Sequence, residues 1–239
     1  GFEMNDRLRF DLSGLARLCR WALGLVVVAE LANAANNIFF LSFLNKVETG
    51  DVDYALADWI DQISLIIGIG YMVAFVGTMI ISAVWIYRAS WNARQIQPLA
   101  ERITPGWAVG WFAVPLANYF MPYKAMKQCW QSSHDPTGDI EGQVPSLFGW
   151  WWTAWVLASL TGNVVMRLHA KAETISELRT AYTVELVTAP FTLVSAVFFA
   201  RVIMGITEAQ RDRTPALAMS ARLPVICGQE PDQNGDSKS

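Results

Sequence analysis

Charge is what this chain is short of. Asp, Glu, Lys and Arg make up only 16% of its 239 residues, where a soluble domain carries about 25%. The 18 Lys and Arg stand against 21 Asp and Glu, for a net charge of −3, so there is no basic excess to hold nucleic acid. The three cysteines, Cys19, Cys129 and Cys227, lie far apart and form no C-x-x-C. That argues against a thiolate metal site and against a disulfide framework. There is no nucleophile elbow, no H-E-x-x-H, no phosphate loop, no dinucleotide fingerprint and no repeat of fixed period. The expectation is a protein that is not an enzyme and holds neither cofactor nor metal.

What the chain does have is apolar and aromatic surface: 53% hydrophobic residues, 11 Trp, 12 Phe and a mean hydropathy of +0.28. Four runs, 21–43, 63–85, 148–166 and 186–206, are long enough to span, since roughly 20 residues cross a bilayer core. The fold class expected is an all-α integral membrane protein. It has four transmembrane helices and a Pro-broken segment that is re-entrant or interfacial. Residues 1–20 form a cytoplasmic N-terminal segment, 21–206 the helical membrane domain, and 207–239 a cytoplasmic tail, largely disordered from Asp212 on. Residues 45–62 read as an acidic loop, 88–103 as a basic one, 131–146 as a loop, and 167–185 as a short amphipathic extension. The first run also resembles a signal peptide, with Ala32-Asn33-Ala34 as its cleavage site. Its continuation through Ile38-Phe39-Phe40-Leu41 favours a span.

The broken segment is 104–130, TPGWAVGWFAVPLANYFMPYKAMKQCW. Pro115 removes a backbone donor and clashes with the carbonyl four residues back, and 107–120 is too short to cross comfortably. Asn118 beside the break is placed to cap freed backbone groups, which lipid cannot satisfy. Lining a substrate site is one reading of the segment; an interfacial wedge that only shapes the fold is favoured.

The positive-inside rule separates the threadings. If 107–120 does not cross, Arg7, Arg9, Arg17, Arg20, Arg88, Arg94, Arg102, Lys124, Lys127, Arg201, Arg211, Arg213, Arg222 and Lys238 lie inside. Only Lys46, Arg167, Lys171 and Arg179 lie outside. If it crosses, the asymmetry nearly vanishes. Both termini are therefore expected in the cytoplasm, in a bacterial inner membrane.

Three groups of residues stand out. Glu30 is an acid near the middle of the first run, with Asn33 and Asn37 on its face at i+3 and i+7. A charge at that depth faces a cavity or a partner. It serves either as a proton, cation or ligand site or, the favoured reading, as interhelical hydrogen bonding with Asn118, Asn163 or Ser195. Arg88 and Asn92, beside Trp85 and Trp91, are placed to meet lipid headgroups or simply to anchor a helix end. Pro115 and Asn118 mark the break. Gly68, Gly70 and Gly77 read as close-packing positions. Trp85, Trp91, Trp107, Trp111, Trp130, Trp150, Trp151 and Trp152 read as one interfacial belt, and His134 and His169 lie outside the spans on opposite sides.

The string Trp85-x-Tyr87-Arg88-Ala89-x-x-Asn92, then Thr104-Pro105-Gly106-Trp107-Ala108-Val109-Gly110-Trp111-Phe112, Pro115-x-Ala117-Asn118, Pro122-Tyr123-x-Ala125-Met126 and Trp130 resembles a bacterial membrane family. It is the domain-of-unknown-function family numbered 4328, and the likeness covers roughly 63–206, including Trp150-Trp151. The resemblance implies a multi-span inner-membrane protein with no established activity, so it assigns no catalytic residue. The leading expectation is an accessory or scaffold subunit of a membrane assembly, in contact with the lipid bilayer and a membrane-protein partner or a second copy. The alternatives are a small transporter or channel using the broken segment and Glu30, and a lipid-binding membrane protein.

Overall fold

The computed structural model describes residues 10–50, 53–139 and 141–220, with side chains through residue 213. Among these the fold is entirely helical. Its helices are α1 (Ser13–Glu48), α2 (Tyr54–Ile96), α3 (Pro105–Gly110), α4 (Met121–His134), α5 (Leu147–Lys171) and α6 (Ile175–Ser220). Two single 3-10 turns, Trp111–Ala113 and Ala117–Tyr119, join α3 to α4.

The starts of these helices are written in local chemistry. The Asp53 carboxylate accepts from the Leu56 amide at 3.1 Å and caps α2. Thr104 caps α3, with Pro105 at the first helical position where its missing N–H costs nothing. Thr174 and Glu177 form a reciprocal capping box at α6: Glu177 N–H donates to Thr174 Oγ1 at 3.2 Å and Thr174 N–H to Glu177 Oε2 at 3.0 Å.

The long helices outrun the apolar runs. The acidic loop expected at 45–62 shrinks to the link between Glu48 and Tyr54, and the extension expected at 167–185 to the link between Lys171 and Ile175. Helix α6 passes the expected boundary at 206 and continues through Ser220. Its continuation is anchored where Arg213 Nε donates to Ser133 O at 2.6 Å and Arg213 Nη2 donates to His134 O. The basic residues Arg7, Arg9, Arg222 and Lys238, and Cys227, fall outside the described residues.

The four long helices stand in a row, α2–α1–α6–α5, each antiparallel to the next. Phe10, Asn92, Gln210 and Phe148 mark one end of the row, called here the proximal end, and Asn45, Glu48 and Arg179 mark the other. Helices α3 and α4 pack against α2, and α4 also reaches α6, all at the proximal end. The stretch from α2 to α5 therefore leaves and returns at the same end. The broken segment does not run the length of the bundle.

At its tip Leu116 has φ 64° and ψ −46°, and Ala117 N–H donates to Pro115 O at 2.8 Å. That is the rare positive-φ γ-turn, disfavoured for a residue with a Cβ and costing about 1–3 kcal/mol. Other backbone groups of the tip are paired: Asn118 N–H to Val114 O at 3.0 Å, Tyr119 N–H to Leu116 O at 3.2 Å, and Trp152 Nε1–H to Tyr119 O at 2.9 Å.

Helices α2 and α6 are long and apolar enough to cross a membrane. Of the other long helices, α1 carries Glu30, Asn33, Asn36 and Asn37, and α5 opens on Trp150-Trp151-Trp152. The apolar stretch of α2 is largely uncovered, with Leu65, Ile66 and Val73 each more than 60% exposed. A soluble protein would hide such a helix in its core.

Glycine sorts the two surfaces. A Cβ on Gly205 of α6 would lie 2.5 Å from the Trp130 ring, and that ring is held by His134 at 3.9 Å and Phe148 at 5.2 Å. Gly68, Gly70 and Gly77 meet nothing within 4 Å, so they are not packing positions within this chain, contrary to expectation. Gly205→Ala is expected to destabilise the purified protein by about 1–3 kcal/mol through overpacking. Gly68→Ala should be neutral or stabilising by up to about 1 kcal/mol. Thermal unfolding of the two variants checks both, and equal effects would contradict the packing described.

Candidate functional site

Two buried polar clusters lie at different levels of the row. The first is built on the α1 stripe. Glu30 and Asn37 are buried at 5% and 2% exposure, and Asn33 lies between them on the same face. Three other helices meet them. The Tyr71 side chain of α2 lies near the Glu30 carboxyl and near Thr192 of α6. Asn33 Nδ2 donates to Glu185 Oε1 of α6 at 2.7 Å, and His169 Nε2 of α5 lies 2.8 Å from Glu185 Oε2. Two carboxyl groups thus face one interior region, close enough to interact electrostatically. Asn36 Nδ2 donates to Ser64 Oγ at 3.0 Å one turn further on. Asn37 Nδ2 is buried without a hydrogen-bond partner among the described residues.

The stripe faces α2 and α6, but not through the partners expected for it. Asn118 Oδ1 is buried with no hydrogen-bond partner among the described residues, so it does not cap a freed backbone N–H there, although the chain does break at Pro115 beside it. Asn163 spends its amide on Ser159 O of its own helix at 2.7 Å. Ser195 is buried, but the groups that meet the stripe are Tyr71 and Glu185. Tyr71 went unremarked in the sequence, and His169 and Glu185 were read only as residues outside the spans. The one signal was a tyrosine in the middle of an otherwise apolar run and an acid at the start of another.

The second cluster closes the proximal end. Gln210 Nε2 donates to Ala89 O and to Ser133 Oγ, both at 3.0 Å, and its Oε1 accepts from Asn92 Nδ2 at 3.0 Å. Asn92, fully buried, also donates to Phe10 O at 2.8 Å and accepts from Phe10 N–H at 3.1 Å. Trp85, also fully buried, donates from Nε1 to Thr207 Oγ1 at 3.2 Å. Asn92 and Trp85 are thus interior fasteners and do not face headgroups. Arg88 is half-buried, with its guanidinium 5.2 Å from the Phe10 ring centre. Trp151 is buried against Phe199 at 5.0 Å, so the tryptophan belt divides. Trp107 and Trp150 are exposed, while Trp85 and Trp151 are core.

Beside this cluster Ser90 and Ala93 of α2, Arg102 and Ile103 of the following link, and Ala125, Gln128 and Cys129 of α4 line a small cavity. Gln128 Oε1 accepts from Ile103 N–H at 3.0 Å and Gln128 Nε2 donates to Glu141 Oε1 at 3.1 Å. Arg102 Nη2 donates to Gln97 O at 2.8 Å. Burial lowers the Arg102 pKa from its ordinary value, though a guanidinium stays charged. Burial likewise pushes the Cys129 thiol up to about 12, which keeps it protonated and unreactive. Among the described residues no group of His, Cys, Asp and Glu has the makings of a metal site.

Residues 48–208 match the family described as Domain of unknown function (DUF4328), and the chain belongs to that family. No curated protein and no solved structure matches it. Tyr71, Asn92, Arg102, His169 and Glu185 fall inside the matched region, and Glu30, Asn33 and Asn37 outside it.

Proposed function

We propose that this member of the DUF4328 family is an inner-membrane protein of four spanning helices. In this reading it serves, without catalysis, as an accessory or scaffold subunit that packs against another membrane protein or a second copy of itself. The observation that carries the reading is the uncovered face of α2. That helix ends the row, and its apolar stretch includes the exposed Gly68 and Gly70. A mid-helix glycine costs about 1 kcal/mol against alanine, and small residues on membrane helices let a second helix approach closely. The partnered clusters inside the row fit a rigid clamp.

Gentle extraction at native expression level followed by native mass spectrometry tests this. A stoichiometric second protein, or a homo-oligomer weakened by Gly70→Leu, is the expected result. A monomer under the mildest extraction, unchanged by the substitution, would refute it.

The proposed orientation puts the proximal end, with both chain termini and the α2–α5 connection, in the cytoplasm. Its support is that Arg88, Arg94, Arg102, Lys124 and Lys127 belong to that end, while Lys46, Lys171 and Arg179 belong to the other. In a Cys227→Ser background, with Cys19 and Cys129 buried, a thiol at the exposed Asp135 (Asp135→Cys) is expected to react only with reagents that reach the cytoplasm. Labelling in intact cells by an impermeant reagent overturns the orientation.

A second reading, a small transporter or channel for protons or cations, is favoured by the first cluster alone. From the half-exposed His169–Glu185 pair, polar groups run through Asn33 to Glu30 and Tyr71 in the interior. If it holds, proteoliposomes carrying the protein dissipate a pH gradient or a cation gradient, and Glu30→Gln abolishes this while assembly is kept. Gradients that decay as in empty vesicles rule it out.

A further inference from the structure

The proximal cavity has an imbalance that its neighbours do not explain. Arg102 Nε and Nη1 and Ser90 Oγ are all buried, each with less than 1 Å² exposed, and none has a hydrogen-bond partner among the described residues. All three belong to residues that line the same space. Ser90 is 95% buried, its residue exposure being 5%. Gln128, the polar group opposite them, has already used its oxygen on Ile103 N–H and its nitrogen on Glu141. Glu141 in turn pairs with Lys124 at 3.4 Å. Arg102 has no ion pair among the described residues, and the positive charge of Arg94 lies near enough to act on it.

Guanidinium N–H groups donate only, whereas a water needs partners of both kinds to be well held. A charge taken out of water without a counter-charge is costly. What the space lacks is an acceptor with negative charge, and it is about the size of a single water, so an anion there must be monatomic and seated by a small shift of its lining. We propose that the Arg102–Ser90 cavity between α2, α4 and the link before α3 is a binding site for a small inorganic anion of halide size. The anion is held by one free edge of the Arg102 guanidinium, Nε–H or Nη1–H, and by the Ser90 hydroxyl. It neutralises Arg102 and so locks α4 and the broken segment onto α2. The site does not depend on the scaffold reading.

The test uses the full chain purified in detergent, at constant ionic strength, with chloride or bromide exchanged for isethionate. The expected result is a thermal midpoint that rises by about 2–4 °C with halide and then plateaus, as binding to the folded state alone requires. Ser90→Ala, which removes a hydroxyl that holds nothing else, should fold and shift the plateau to higher halide. Arg102→Gln should remove the halide dependence. Chloride-35 line broadening on the unaltered protein gives a second readout that needs no variant, and it should be relieved by bromide. A midpoint that follows ionic strength equally in isethionate overturns the site, as does an unchanged halide effect in Arg102→Gln. Stabilisation by inorganic phosphate or by phosphatidylglycerol vesicles, with none by chloride, overturns the halide assignment in favour of a phosphate oxygen.

Discussion

The side-chain amide of Gln210 is where four segments of chain are obliged to meet. Its nitrogen spans from the Ala89 carbonyl of α2 to the Ser133 hydroxyl of α4, and its oxygen accepts a hydrogen bond from Asn92, which in turn holds the backbone of Phe10 ahead of α1. A buried amide that loses one of these partners pays a desolvation cost of about 1–3 kcal/mol. The four segments are therefore positioned together or not at all. Everything at the proximal end follows from that closure: the seat of α4, the trapping of Trp130 against Gly205, and the small donor-lined cavity beside Cys129.

Between the proximal knot and the Glu30 level the row is held mainly by apolar contact, with single polar links such as Thr78 Oγ1 to Ala22 O at 3.1 Å. The two clusters are the points at which helix register is specified, because hydrophobic contact alone tolerates sliding while a hydrogen bond between Asn33 and Glu185 does not. The strained turn at Leu116 sits outside both clusters. It is needed because the chain must reverse between two short helices that are both committed to α2.

The long helices were legible wherever hydropathy speaks, and their ends were not. Residues such as Asn92 and Gln210 look like water-facing termini by type, yet both are interior because α4 folds back over them. That return is set by pairing across about a hundred residues, for which a local pattern holds no signal. The Glu30, Asn33 and Asn37 stripe was legible because i, i+3 and i+7 share a helix face. Its partners were not, since which helix turns toward that face is decided by packing. Glycine misled for the same reason: spacing in α2 resembles a packing motif, but the glycine that a neighbour requires is Gly205 in α6.

The row has a mechanical consequence. Helix α2 spans 43 residues, about 64 Å at 1.5 Å per residue, roughly twice the hydrocarbon thickness of a bilayer. It is gripped at its C-terminal third by α3, α4 and the Gln210 knot, and is met along the rest by α1 and at Tyr71. It is held by α1 at Trp59, Ser64 and Thr78 as well as by the knot at Ala89, so a displacement of its far end is shared between α1 and the residues that seat α4.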